Sequence, residues 1–353
     1  MTKPRILFAP DYRAGVRYQT LLAEALTGLG FEILFQSDYY RGLPLYRGVK
    51  NVSPALVHLH WPEKYFGRRG MLWTWMRVKR YPLDLWLTTS ARPMVLTAHN
   101  LLPHNRRKEF GVFQNIRTTA RRAKAVFVHS ETAREQMCAT FDVASERCHV
   151  IPYGDHSVGM GDPMPRADAR RQLNLPATAE VCLVFGTVSP YKGSEEIIQF
   201  WVRNRIPYHL VIAGPVLDEN FANTLRNIGS GCQSVDLRLT QTWLDDDALK
   251  AWLSAADCTI FNYREIFTSG AAALARSFGV PILIPKRLTA ADLDEPHPHV
   301  FRFDTLDTDF RSQLEQALAR PCDYNLAQAW RDKTSWERIA TTTASIYREI
   351  LNK

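Results

Sequence analysis

The chain has 353 residues and a formal net charge of +8, with 46% hydrophobic and 23% charged residues. This length exceeds that of one ordinary domain, so two domains are expected. The composition is that of a globular protein and excludes a collagenous or low-complexity chain. Since the sequence has no run of about 18 apolar residues, no transmembrane helix is expected.

Positive charge is concentrated in the first half of the chain. Residues 1–160 contain 23 Lys and Arg against 12 Asp and Glu, whereas residues 161–353 contain 21 against 24. The two halves therefore carry +11 and −3. Such asymmetry indicates that the first half faces an anionic partner: nucleic acid, an acidic membrane or an anionic substrate.

The beginning of the sequence and the cysteines indicate a reducing compartment. Only a five-residue apolar run separates Arg5 from Asp11, which is shorter than a secretory signal requires. The six cysteines show no Cys-x-x-Cys pattern. We therefore expect a cytoplasmic protein with reduced, mostly buried thiols rather than disulfides or a zinc site.

The predicted elements of the first half alternate between strand and helix. A strand at 5–10 is followed by a turn, a helix over 18–29 that ends at Gly30, and a strand at 31–35. This β-loop-α-β opening is typical of a doubly wound sheet. Further strands are predicted at 56–59, 94–98, 125–129 and 148–151.

A polar, proline-containing stretch at 155–165 separates this pattern from a second one. Strands are predicted again at 181–185, 208–213, 234–237, 258–261 and 281–284, with helices between them. The prediction is an α/β protein with two Rossmann-like domains, 1–160 and 161–335, and a C-terminal helix in 336–353 that packs back toward the first domain. Ligands are expected in a cleft at the carboxyl ends of the strands.

Two loops of the second domain have the residues of a phosphate site. After the strand at 181–185, a glycine-containing loop leads through Lys192 to a helix at Ser194, so backbone N–H groups and a lysine can bind a diphosphate. A later loop leads to a helix of small residues near Ser269 and Gly270, whose N-terminus favours an anion. The alternatives are a solvated loop lysine and simple close packing of helix on sheet.

These two segments, in this order, resemble the donor-binding half of GT-B glycosyltransferases. A Gly-x-x-x-x-x-Lys-Gly loop runs from Gly186 to Gly193, and the later loop and helix run from Glu265 to Pro281. The resemblance implies two Rossmann-like domains facing a central cleft and a nucleotide-sugar donor. The residues that it places at the donor are Gly186, Thr187, Ser189, Lys192, Gly193, Tyr263, Glu265, Ser269 and Gly270.

Two positions depart from this family pattern. Thr187 replaces a common arginine, which leaves Lys192 as the main phosphate cation. Leu274 occupies the position of a second glutamate, of which Glu265 is the first. These departures motivate an alternative, a non-catalytic protein that binds sugar nucleotides or polysaccharide with the same fold.

Histidine-containing clusters follow two strands of the first domain. One runs from Val57 to Glu63 and the other from Thr97 to His104, and both loops open at the same edge of a parallel sheet. A sugar hydroxyl loses its proton during transfer, so a general base is expected there. Glu63 and His99 are favoured over Asp11 and His104, whereas Gly15, His60, Trp61 and Asn100 are expected to bind the acceptor. Ordinary structural histidines are the alternative.

The two clusters also resemble the xanthan-type β-mannosyltransferases of bacterial exopolysaccharide synthesis and family 4-like enzymes. The resemblance implies an inverting glycosyltransferase that moves mannose from GDP-mannose to a polyprenyl-diphosphate-linked oligosaccharide. Because no Asp-x-Asp motif stands at a strand end, no metal is expected to bridge the diphosphate, and no other cofactor is expected.

The segment 64–80 mixes six Lys and Arg with aromatic residues and contains no acidic residue. This pattern favours an interfacial helix on an anionic leaflet. The alternative is that the aromatic residues pack into the core and the arginines are solvated on a helix. Nucleic acid is the rival partner, but no nucleic-acid-binding motif accompanies the charge. We therefore expect a peripheral protein on the inner face of the cell membrane and no nucleic-acid partner. The residues expected at the membrane are Arg68, Arg69, Trp73, Trp75, Lys79 and Arg80.

Overall fold

A computed structural model describes residues 3–14, 16–38, 42–66, 71–102, 111–288, 293 and 297–352, and only the backbone of residues 71–73. The chain divides into two compact units. Met1–Gly154 and Thr334–Lys353 form the first unit, and Asp155–Lys333 forms the second. The first boundary lies at the start of the polar 155–165 stretch, ahead of residue 160. The C-terminal residues from Thr334 onward belong to the first unit.

Strands and helices alternate from the strand Arg5–Ala9 to the strand Ile282–Pro285, and three successive helices end the described chain. The strands are β1 (Arg5–Ala9), β2 (Glu32–Phe35), β3 (Leu56–His60), β4 (Met94–Thr97), β5 (Ala125–Val128), β6 (Cys148–Val150), β7 (Val181–Phe185), β8 (His209–Pro215), β9 (Val235–Thr240), β10 (Cys258–Ile260), β11 (Ile282–Pro285) and β12 (Val300–Phe303). The α-helices are α1 (Arg17–Gly28), α2 (Pro44–Val52), α3 (Met71–Ala91), α4 (Val112–Arg122), α5 (Glu131–Phe141), α6 (Arg166–Gln172), α7 (Ser194–Asn204), α8 (Glu219–Gly229), α9 (Asp246–Ala255), α10 (Gly270–Ser277), α11 (Phe310–Leu318), α12 (Tyr324–Lys333) and α13 (Trp336–Leu351). Every strand expected from the sequence is present, which confirms the α/β class.

The first unit is built on a parallel six-stranded sheet with the order β2-β1-β3-β4-β5-β6. Strands β4 and β5 are buried at every position, as expected of parallel strands covered on both faces. Helix α13 completes this unit from the far end of the chain. Its Tyr347 is fully buried, and the Tyr347 ring centroid lies 5.7 Å from that of Phe31.

The second unit has a parallel six-stranded sheet with the order β12-β11-β10-β7-β8-β9. Strand β7 lies between β10 and β8, so the winding direction reverses there. Open α/β sheets bind ligands at such a switch point, beyond the carboxyl ends of the strands. The loops that follow β7 and β10 are the two segments with phosphate-binding patterns.

Strand β12 is absent from the sequence-based prediction. It is a short edge strand that includes a charged residue, Arg302, so it lacks the continuous apolar run that marks the other strands. Arg302 Nη1 donates a hydrogen bond to the Leu288 carbonyl at 3.0 Å. The segment is a strand because its backbone pairs with β11. This pairing joins residues far apart in the chain, so the local sequence does not show it.

The six cysteines all lie among the described residues as free thiols. Cys148, Cys182 and Cys258 are buried, and the other three are partly buried. Burial is the main cause that raises the pKa of the Cys148 thiol to about 12. A thiol with a raised pKa is a poor nucleophile, so this cysteine serves packing rather than chemistry.

Candidate active site

The two loops of the second unit that have phosphate-binding patterns are joined by hydrogen bonds. The backbone N–H of Arg264 donates to the Tyr191 carbonyl at 2.8 Å. The Asn262 side-chain amide donates to the Gly193 carbonyl at 3.3 Å. Since β7 and β10 are neighbouring strands, their loops form one surface at the carboxyl edge of the sheet.

Glycine is required at two positions of the loop after β7. Gly193 has a φ of +69°, and a Cβ there would lie 2.2 Å from the Asn262 carbonyl oxygen. Gly186 has a φ of +89°, and a Cβ there would lie 3.1 Å from Lys192 Nζ. A side chain at either position would be strained and would separate the loops or displace the lysine.

Lys192 is a buried cation. Lys192 is only 8% exposed, and its Nζ lies 5.1 Å from the ring centroid of Tyr263. Burial lowers its pKa from the ordinary value. Within the part of the chain that the structure describes, no carboxylate forms an ion pair with it. Because burying a charge without a counter-charge is costly, Lys192 is a strong candidate for an anion ligand.

The N-terminus of α10 lies on the second of these loops. The Ser269 hydroxyl accepts a hydrogen bond from the Ala272 N–H at 3.2 Å and caps the helix. The first N–H groups of a helix have no partner within it, so the helix from Gly270 onward presents donors for a phosphate. Of the other predicted donor residues, Thr187 and Ser189 are partly buried on the first loop, Tyr263 is buried and Glu265 is exposed.

The two histidine-containing clusters of the first unit meet at a small pocket. Trp61, Glu63, His99 and Asn100 all line it. Strands β3 and β4 are paired, with His60 opposite Thr97, and this pairing brings the loops together. Glu63 lies in a short 3₁₀ helix, Pro62–Phe66, directly after β3.

Trp61 lies flat against His99. Their ring centroids are 3.7 Å apart and the planes differ by 10°, while the Tyr12 ring lies 4.9 Å from Trp61. His99 therefore covers one face of Trp61. Contrary to the expectation from sequence, that face is not available to stack against a sugar. Trp61 also has a φ of +43°, which is strained for a bulky side chain.

The structure corrects or weakens other assignments at this edge. His60 is fully buried (0% exposed) and does not line the pocket, so an acceptor does not reach it. Asp11 accepts two hydrogen bonds from the Arg13 guanidinium, at 3.0 and 2.8 Å. The hydrogen bond from Arg13 lowers the Asp11 pKa, which makes this carboxylate a poorer base. Gly15 and His104 lie outside the described residues.

His129 is a residue of this site that the sequence analysis missed. Its Nδ1 lies 3.0 Å from the Ile151 carbonyl oxygen, and its Nε2 lies 3.4 Å from His99 Nδ1. His60 Nδ1 lies 3.2 Å from His99 Nε2 on the other side. Three histidines therefore form a row across the carboxyl ends of β3, β4 and β5. The sequence signal that could have identified His129 is that each of the three histidines ends or directly follows one of three neighbouring strands.

Burial keeps histidines of this unit neutral. It lowers the pKa of His58 to about 3 and that of His129 to about 4. In the unfolded chain each imidazole binds a proton near its ordinary pKa of 6.5. Unfolding therefore takes up protons below about pH 6.5, and stability falls as the pH decreases from there toward 4.

We expect the free energy of opening of the first sheet to be at least about 4 kcal/mol lower at pH 5 than at pH 8, with about 2 kcal/mol from each of these two histidines. Burial also lowers the pKa of His60, which adds in the same direction. Hydrogen exchange of the β3 and β5 amides, corrected for the intrinsic rate, measures this change. The His129→Gln variant lacks one of these imidazoles, so the change should be smaller by about 2 kcal/mol. A stability that is constant or increases toward pH 5 would contradict the assignment.

The outer face of α3 combines apolar and basic side chains. Trp75, Leu83 and Trp86 are 51%, 52% and 48% exposed, and the Lys79 Nζ lies 4.9 Å from the Trp75 ring centroid. Their spacing of three or four residues places them on one side of the helix. No helix among the described residues has both the length and the hydropathy to cross a bilayer.

Other contacts fix which side of α3 faces outward. The Asp84 carboxylate accepts hydrogen bonds from the backbone N–H groups of Leu45 and Tyr46, at 3.1 and 2.9 Å. This carboxylate anchors α3 to the start of α2. Arg80 is partly buried, and burial lowers its pKa. Arg68, Arg69 and the Trp73 side chain, which were also expected at the membrane, lie outside the described residues.

Residues 6–154 match the model of Glycosyltransferase Family 4. The chain is also 25% identical over 306 residues to the GDP-mannose:glycolipid 4-beta-D-mannosyltransferase of Xanthomonas campestris pv. campestris, covering 84% of this chain and 80% of that protein. The corresponding protein of a second strain of this pathovar is likewise 25% identical over 308 residues.

Solved structures share the fold of the chain. The sucrose-phosphate synthase of Thermosynechococcus elongatus aligns with a TM-score of 0.72 at 16% identity, covering 99% of each chain. The catalytic domain of starch synthase IV from Arabidopsis thaliana, bound to ADP and acarbose, aligns with a TM-score of 0.71 at 14% identity, covering 100% of each chain. Anabaena HepE in complex with UDP and glucose aligns with a TM-score of 0.69 at 13% identity, covering 98% of this chain and 100% of that one.

The structural neighbours confirm the predicted fold, and the family match supports the predicted enzyme class. The neighbours are GT-B glycosyltransferases, and the two parallel six-stranded sheets agree with that architecture. The chain is therefore a glycosyltransferase with the GT-B fold, and its residues 6–154 match the Glycosyltransferase Family 4 model.

Proposed function

We propose that the enzyme transfers mannose from GDP-mannose to a polyprenyl-diphosphate-linked oligosaccharide at an anionic membrane surface, in exopolysaccharide synthesis. The observation that carries the donor assignment is the buried Lys192 at the switch point of the second sheet. Its Nζ lies 5.1 Å from the ring centroid of Tyr263, which belongs to the loop that leads to the capped N-terminus of α10. The name of the Xanthomonas relative supports mannose, GDP and a glycolipid acceptor. The β linkage in that name corresponds to inversion of an α-linked donor.

On the donor side, the leaving group is a nucleoside diphosphate. Its negative charge grows as the bond to the sugar breaks, so fixed positive groups stabilise the transition state. Lys192 supplies a full charge and the N-terminus of α10 supplies N–H donors with the helix dipole. We assign to these groups the neutralising role that a metal ion has in other transferases, so the reaction is proposed to need no metal.

On the acceptor side, the attacking hydroxyl must lose a proton. Glu63 is the proposed general base, because it lines the pocket after β3. His99 is the second candidate, although both of its ring nitrogens lie within hydrogen-bond distance of other histidines. As the acceptor oxygen bonds to the sugar carbon, its proton moves to the base and the diphosphate leaves with the electron pair of the broken bond.

The identity of the donor nucleotide is tested most simply by measuring nucleotide binding. A ligand that binds only the folded protein raises its melting temperature. We expect GDP to raise the melting temperature more than UDP or ADP at equal concentration. A larger shift with UDP or ADP would contradict the donor assignment while leaving the enzyme class intact.

The outer face of α3 supports the membrane part of the proposal. Tryptophan and leucine enter the interfacial region, and lysine binds anionic headgroups. Changing Trp75 and Trp86 to serine is expected to reduce binding to phosphatidylglycerol-containing vesicles by at least about tenfold, since each buried aromatic side chain contributes about 1.5–3 kcal/mol. Vesicle sedimentation measures the change.

A matched control exists in the second unit, where Trp243 is 63% exposed. Trp243→Ser should leave vesicle binding unchanged. Neutralising Arg68, Arg69, Lys79 and Arg80 together should also release the protein, because each basic residue near such a surface contributes about 1 kcal/mol. Turnover of a short soluble acceptor should persist in these variants. Vesicle binding that resists both sets of changes, in low and in high salt, would contradict the membrane assignment.

A further inference from the structure

The hydrogen bonds in the row of His60, His99 and His129 determine which ring nitrogen of each histidine carries the proton. A carbonyl oxygen only accepts, so the Ile151 carbonyl requires a proton on His129 Nδ1, at 3.0 Å. In a neutral His129 the Nε2 is then an acceptor, and it receives the proton of His99 Nδ1 at 3.4 Å. His99 Nε2 is in turn an acceptor for His60 Nδ1–H at 3.2 Å. The row therefore fixes the proton of His99 on Nδ1.

The row is held in a closed aromatic environment. His60, His99 and His129 are all less than a tenth exposed. The Tyr18 ring contacts all three, with centroid distances of 5.9, 4.7 and 5.6 Å. The Trp336 ring, from the C-terminal helix of this unit, lies 5.2 Å from Tyr18. His99 is thus clamped at both nitrogens and packed by Tyr18 near its ring.

The position of the His99 ring determines the position of Trp61, which lines the pocket. The stacked Trp61 ring lies 3.7 Å from that of His99, and the strained φ of Trp61 persists only if neighbouring contacts hold it. Glu63 follows two residues later in the 3₁₀ helix. A shift of the His99 ring would therefore move Trp61 and, with it, the start of the turn that carries Glu63.

We propose that His129 is a positioning residue of the transfer reaction, which holds His99 and Trp61 so that Glu63 lies where the acceptor hydroxyl is deprotonated. This inference rests on the proposed role of Glu63 as general base. His129 does not touch the substrate, since it is buried behind His99. Its contribution is to the geometry of the reacting groups, where small displacements have large effects on rate.

Two substitutions of His129 separate positioning from simple packing. His129→Phe keeps the ring but removes both nitrogens, so His99 Nδ1–H loses its acceptor. His129→Gln supplies an amide oxygen that can accept that proton. We expect kcat to fall at least about tenfold in the Phe variant and to recover most of its value in the Gln variant. The affinity for GDP should be unchanged in both, because the donor residues belong to the other unit.

His149→Phe is the matched control. His149 lies on the adjacent strand β6, partly buried, with its ring centroid 6.2 Å from that of Phe127. It should leave kcat unchanged. If His129→Phe has a normal kcat, or if the Gln variant falls as far as the Phe variant, the positioning role is wrong.

The proton pattern itself is tested without any assay of activity. In the wild-type protein with ¹⁵N-labelled histidine, the resonances of His99, assigned by their loss in His99→Gln, should show protonation on Nδ1. His99 protonated on Nε2 would overturn the proposal. If the wild-type enzyme fails to use GDP-mannose, the proposed function is wrong, but this spectroscopic result still decides whether the row exists.

Discussion

Changing Glu63 to glutamine is expected to lower kcat by about 10²–10⁴-fold, the usual effect of removing a general base. The amide has nearly the same shape as the carboxylate, so the 3₁₀ helix and the pocket should be retained. The affinity for GDP should not change, because the proposed donor-binding groups are Lys192 and the N-terminus of α10, which belong to the second unit. Steady-state kinetics together with GDP titration measure both quantities.

Two further variants make this test specific. Glu131→Gln changes a glutamate that pairs with Arg134 on the surface of α5, and it should have normal turnover. His99→Asn tests the second candidate base directly. If both Glu63→Gln and His99→Asn keep near-normal turnover, the base is neither residue, and Asp11 and His104 are the next candidates.

Changing Lys192 to methionine or alanine is expected to weaken donor binding by about 1.5–3 kcal/mol, the range for hydrogen bonds to a charged group. This corresponds to about 10- to 150-fold in the dissociation constant of GDP. Methionine keeps most of the volume and removes the charge. Because no described carboxylate pairs with Lys192, the ligand-free protein should lose no stability from the loss of charge.

Lys286→Met is the matched control for Lys192. Lys286 is an exposed lysine whose Nζ pairs with Asp304 at 2.8 Å. It should bind GDP as the wild type does. Isothermal titration of GDP into each variant measures the effect. An unchanged dissociation constant in a folded Lys192→Met protein would remove this lysine from the donor site.

The fold, and the position of the two candidate donor loops within it, were the parts most readily predicted from sequence. Buried parallel strands consist of short apolar runs, which are visible in a single sequence. A glycine-rich loop after such a run, followed by a helix, is a local pattern. Gly186, Lys192 and Gly193 are within eight residues of one another along the chain, so no long-range contact was needed to find them.

The details of the acceptor side depend on contacts between distant residues. His60, His99 and His129 belong to three strands, and only their pairing in the sheet shows that they form a row. The stacking of Trp61 on His99 covers a face that the sequence suggested was open to a sugar. A lone histidine after a strand gives little local signal, which is why His129 was missed.

The most direct test of the central claim is a transfer assay with product analysis. The purified enzyme is incubated with a polyprenyl-diphosphate-linked oligosaccharide and, in separate reactions, with GDP-mannose, UDP-glucose or ADP-glucose, and the product linkage is determined by NMR. We predict transfer from GDP-mannose with a β-linked mannose in the product. Transfer only from a UDP- or ADP-sugar, or an α-linked product from GDP-mannose, would contradict the proposed reaction.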